Sequence, residues 1–78
     1  MKIKVKDPNE LRRLLIINGY SQADFAKELK ITTPYLNQIV NDEKCPSPKI
    51  AKNIHTKLGA QFEDIFFIES DSKSYRAE

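Results

Sequence analysis

Four times along the chain a short oxygen-bearing side chain stands just before a stretch whose apolar residues recur three and four apart: Asp7, Ser21, Thr32 and Ser47. Such side chains cap helices, because their oxygen accepts a hydrogen bond from a first-turn N–H that has no partner inside the helix. Two of the four precede proline, Pro8 and Pro48, whose fixed φ suits the first helical position and whose missing donor would be unpaired there anyway. Glu10 and Asp24 stand three residues after Asp7 and Ser21, the spacing of a capping box. Stops follow the starts, since Gly19 and Gly59 can take the left-handed conformation that ends a helix. The punctuation predicts helices over about 8–18, 22–29, 33–41 and 48–58. Their apolar stripes are Leu11, Leu14, Leu15 and Asn18; Phe25, Ala26 and Leu29; Leu36, Ile39 and Val40; and Ala51, Ile54 and Leu58. Ile16 falls nearly opposite the first stripe. Only three or four residues join the second helix to the third.

The two ends read differently. Residues 1–6 alternate lysine with Ile3 and Val5, the pattern of a short strand or an ordered arm. A brief fifth helix is expected from about Gln61, with Phe62, Ile65 and Phe66 facing inward. Phe66, Phe67 and Ile68 fit equally a strand pairing with Ile3–Val5, and both readings stay open. The domain is expected over residues 7–69, with a polar tail over 70–78.

Composition narrows the function. With 40% hydrophobic and 31% charged residues among 78, the chain is expected to fold as one small globular domain. No apolar run exceeds the four residues of Leu14–Ile17, far short of the roughly 20 that span a bilayer, and no signal peptide precedes it, so a cytoplasmic protein without membrane contact is expected. Cys45 is the only cysteine, which leaves no disulfide and no multi-thiolate metal site. No cofactor is expected either. His55 has no Cys, Asp or Glu at ligand spacing and reads as a packing or surface residue, while Glu63 and Asp64 suit a helix N-terminus better than acid–base chemistry. The chain is therefore not expected to be an enzyme. Its net charge of +2 hides a division: residues 1–57 hold 11 basic and 6 acidic side chains, residues 58–78 hold 2 and 5. A cationic body suits a polyanionic partner, although solvated charge explains such a split as well.

The segment from Ser21 to Asn41, SQADFAKELKITTPYLNQIVN, resembles the helix-turn-helix of the phage repressor and Cro family. The likeness extends outward to Gly19 before it and to IHTKLG, Ile54 to Gly59, after it, covering Asp7 to Phe66. It implies an all-α, five-helix repressor/Cro-like domain that reads double-stranded DNA. In that family a glycine usually stands where this chain has Lys30, so the lysine implies strain or a different turn. Many members also pair an arginine near the end of the first helix with a glutamate near the end of the third. Here those positions are Leu15 and Val40, both apolar, and the two are expected to be buried in mutual contact.

The resemblance implies that Gln22 contacts phosphate and that Thr33, Pro34, Asn37 and Gln38 face base edges. Side-chain chemistry agrees. Asn and Gln can pair with adenine N6 and N7, and Thr and Pro offer apolar contact to the thymine methyl. The third helix carries no charge, so phosphate anchoring must come from its surroundings: Gln22, Tyr35, Asn41, Lys44, Ser47, Lys49 and the N–H groups that open helices 2 and 4. Each has a plainer reading, as solvated polar surface or, for Tyr35, as packing. The resulting expectation is a phage or mobile-element transcriptional regulator that binds a two-fold operator as a homodimer, assembled on DNA. The competing expectation is an antirepressor or co-repressor that keeps the fold and docks on a partner regulator through Ile16, Ile17 and the uncharged third helix.

Overall fold

The computed structural model describes residues 1–70. Five helices follow a first strand and precede a second: β1 Lys2–Val5, α1 Pro8–Ile17, α2 Gln22–Leu29, α3 Thr33–Val40, α4 Pro48–Leu58, α5 Phe62–Ile65 and β2 Phe66–Glu69. The tail expected over 70–78 lies, from residue 71 on, outside the described residues.

All four caps form. Asn9 N donates to Asp7 Oδ1 at 3.0 Å, Asp24 N to Ser21 Oγ at 3.0 Å, Tyr35 N to Thr32 Oγ1 at 3.2 Å and Ile50 N to Ser47 Oγ at 3.2 Å. Asp64 acts within a capping box, its carboxylate accepting from Gln61 N at 3.0 Å, which gives the acidic start of α5 a structural task.

The open question at the C-terminal end resolves in favour of the strand. Phe66 leaves α5 with extended φ of −125°, and β2 pairs antiparallel with β1, Val5 opposite Phe66 and Ile3 opposite Ile68. Directly opposed residues point to one face, so Val5 and Phe66 both enter the core. The architecture is thus five helices with a two-stranded clasp, and Phe66 is inward-facing as a strand residue.

One buried cluster unites the elements: Val5 from β1, Leu11 and Leu15 from α1, Phe25, Ala26 and Leu29 from α2, Leu36, Ile39 and Val40 from α3, Ala51, Ile54 and Leu58 from α4, then Ile65 and Phe66. Among the described residues no polar or charged side chain is buried. Leu15 and Val40 both belong to this cluster, at 2% and 0% exposure. Leu14 is half-buried, and Asn18 departs from the expected stripe by being exposed. The amide of Asn18 has a reason to stay at the edge: there it donates to the carbonyls of Leu14 at 2.9 Å and Leu58 at 3.3 Å, bonds that an apolar interior could not supply. His55 is a packing residue, with Nδ1 donating to the Ala60 carbonyl at 3.0 Å and its ring edge-on to Phe62 at 6.0 Å.

Candidate nucleic-acid interface

The turn between α2 and α3 sets the site. Lys30 ends α2 in the left-handed conformation, φ 61° and ψ 41°. Ile31 N donates to Ala26 O at 3.0 Å and Lys30 N to Lys27 O at 3.1 Å, so two of the last four carbonyls of α2 are satisfied within one tight turn. The expected alternatives were strain or a different turn. The lysine has kept the glycine-type geometry and accepted the strain.

Helical periodicity then divides α3. Leu36, Ile39 and Val40 are buried, whereas Thr33, Pro34, Asn37 and Gln38 occupy the other side, Pro34 exposed and the other three half-exposed. Among the described residues the amides of Asn37 and Gln38 make no side-chain hydrogen bond within the protein. Two adjacent amides therefore present unpaired donors and acceptors on an uncharged helix face, which is the chemistry that base edges demand.

The candidate phosphate contacts fall into separate places. Gln22 opens α2 and lines a surface concavity with Arg12, Leu15, Ile16, Tyr20 and Ser21. Asn41 is the C-cap of α3, exposed, and its Oδ1 accepts from Arg12 Nη2. Lys44 is exposed in the following loop, where its backbone N–H donates to Gln38 O at 3.1 Å. Lys49 lies elsewhere, in a groove between the end of α2 and α4 lined also by Lys30, Ile50, Asn53 and Lys57. The eight residues of α2 separate that groove from Gln22 by about 12 Å. Tyr35 packs partly against the core, and Ser47 Oγ accepts from Ile50 N in capping α4, which leaves its O–H as a donor.

Two residues of this surface were not singled out from the sequence. Arg12 reaches Asn41, 29 positions away, and Asp42 sits in the loop after α3 at φ 64°, accepting from Val5 N at 3.5 Å and facing Lys4 Nζ at 3.8 Å. Neither contact has a local sequence signal. Arg13, next to Arg12, is engaged differently: its guanidinium lies 2.7 Å from Glu10, and that hydrogen bond holds the Glu10 carboxyl below the usual carboxylate range.

Two capped helices joined by a tight left-handed turn, with a polar uncharged face on the second and a shared apolar core behind both, define a helix-turn-helix domain. The profile of the helix-turn-helix family matches residues 11–65. The chain belongs to that family, in its Cro/CI-like XRE branch, and is a DNA-binding transcriptional regulator of the XRE type. No curated protein and no solved structure matches it. Among the described residues no helix is long and apolar enough to cross a membrane.

Proposed function

We propose that the domain binds a specific double-stranded operator with α3 in the major groove, as a regulator of phage or mobile-element type acting in the cytoplasm. Thr33, Pro34, Asn37 and Gln38 read base edges. Gln22, Tyr35, Asn41, Lys44, Ser47 and Lys49 hold phosphates. The observation that carries this reading is the unpaired amide pair Asn37 and Gln38 on the solvent side of α3, over a buried Leu36–Ile39–Val40 stripe that fixes their direction. Two copies on a two-fold site supply the affinity that one module of this size lacks. Selection of binding sites from random duplex DNA at moderate salt tests it: enrichment of a repeated half-site is expected, and unenriched pools would refute sequence-specific reading.

A second reading has its own observation. Ile16 and Ile17 are 75% and 60% exposed on α1, an apolar surface outside the buried core. It favours docking on a partner regulator, and the same selection separates the two, because a protein-docking modulator yields no half-site.

A further inference from the structure

A recognition helix without charge must borrow its cations. Three basic side chains of the domain already face carboxylates: Arg13 faces Glu10 at 2.7 Å, Lys57 faces Glu28 at 3.5 Å and Lys4 faces Asp42 at 3.8 Å. Arg12 is held by neutral groups instead. Its Nη1 donates to Asn9 Oδ1 at 3.0 Å and its Nη2 donates to Asn41 Oδ1, both amide carbonyls, and among the described residues it makes no ion pair. The outcome is a guanidinium fixed in direction whose charge is uncompensated and whose remaining N–H groups have no protein partner.

Its position matters as much as its charge. Through Asn41 the Arg12 head group touches the end of α3, and it lines one concavity with Ser21 and Gln22 at the start of α2. Phosphates of the strand that borders an occupied major groove pass the flanks of the recognition helix and the start of the helix before it. A planar donor fork already ordered there loses little rotamer freedom on binding an anion.

We propose that Arg12 is a phosphate-binding residue of the DNA interface, aimed by Asn9 and Asn41, with the free amide N–H groups of Asn41 directed at the same phosphate. The proposal rests on the DNA-binding reading above. It assigns to α1 a part of the interface that the helix-turn-helix itself does not contain. A purely structural strut between α1 and α3 would behave differently, since its loss would lower thermal stability without altering the salt dependence of binding.

The experiment measures affinity for a random-sequence duplex between 50 and 200 mM salt, for the wild-type chain and for Arg12→Ala, Arg12→Gln and Arg12→Lys, with thermal midpoints of all four. Releasing one phosphate contact reduces the slope of log affinity against log salt by about 0.9, so the fourfold rise in salt should weaken the wild type about 3.5-fold more than either uncharged variant. Arg12→Lys keeps the charge and should keep the slope. Two uncharged variants guard against misfolding of one. Wild-type slope in Arg12→Ala or Arg12→Gln overturns this proposal alone, as does a lowered thermal midpoint with the slope unchanged. Failure of the wild type itself to bind duplex in a salt-dependent way overturns it together with the DNA-binding reading.

Discussion

Replacing Lys30 by glycine isolates the strain in the helix-turn-helix turn. Lys30 sits at φ 61° and ψ 41°, where Cβ crowds the following carbonyl at about 1–2 kcal/mol. Glycine removes that strain but gains freedom in the unfolded chain, which offsets about 0.4–1 kcal/mol. The side chain is exposed, and among the described residues it makes no hydrogen bond or ion pair, so only the screened interaction of its charge with the end of α2 goes with it. The net expectation for Lys30→Gly is a stabilisation of about 0–1.6 kcal/mol, centred on about 0.8, which for a domain of this size raises the thermal midpoint by about 3–6 °C at the centre of that range. Gly59→Ala provides the mirror image. Gly59 ends α4 at φ 67°, and a Cβ added there meets nothing within 4 Å, so a comparable loss should appear from conformation alone. Circular dichroism melts of both variants decide the matter. A Lys30→Gly midpoint at or below wild type, beside a destabilised Gly59→Ala, would show that the turn does not store strain at Lys30 and would refute the reasoning.

Three further outcomes are expected. Asn37→Ala and Gln38→Ala should each weaken binding to the selected site by roughly 1–3 kcal/mol and leave random-duplex binding nearly unchanged; equal losses on both duplexes in a fluorescence titration count against base reading. Lys44→Ala and Lys49→Ala should weaken binding on all sequences alike, each flattening the salt slope by about one phosphate contact, and an unaltered slope removes that residue from the interface. Val40→Glu alone should destabilise by about 3–5 kcal/mol, because a charge would be buried without a partner, whereas adding Leu15→Arg should recover part of the loss. Thermal unfolding of the single and double variants reads this directly, and a double variant no better than the worse single one contradicts the compensation.

Legibility followed the range of the interactions. The caps at Asp7, Ser21, Thr32 and Ser47 are decided within four residues, so the sequence displays them and the structure repeats them. The stretch from Phe66 to Ile68 could not be decided locally, since a short apolar run satisfies both helical and strand periodicity. Its partner, Ile3–Val5, lies some sixty residues away and settles it. The outer face of α3 followed from the same periodicity that fixed its inner one. Asn18 did not, because an amide at a stripe position goes where carbonyls are available. Arg12 was invisible for a similar reason: nothing near it in the chain tells that Asn41 will stand beside it.

The pairing of β1 with β2 also orders events in time. As the polypeptide leaves the ribosome, the four longer helices can form and meet while Lys2–Val5 still has no mate, since Phe66–Glu69 is made last of the described elements. Closing so long a loop is slow relative to helix formation. Val5 and Phe66 are both buried in the finished protein, so a nascent chain stopped before residue 66 holds a core with one side uncovered. Pulse-labelling hydrogen exchange during refolding should accordingly find the Lys4 and Phe67 amides, which belong to a hydrogen-bonded pair of the clasp, protected later than those of α2 and α3, which makes this clasp the latch whose closing completes the domain.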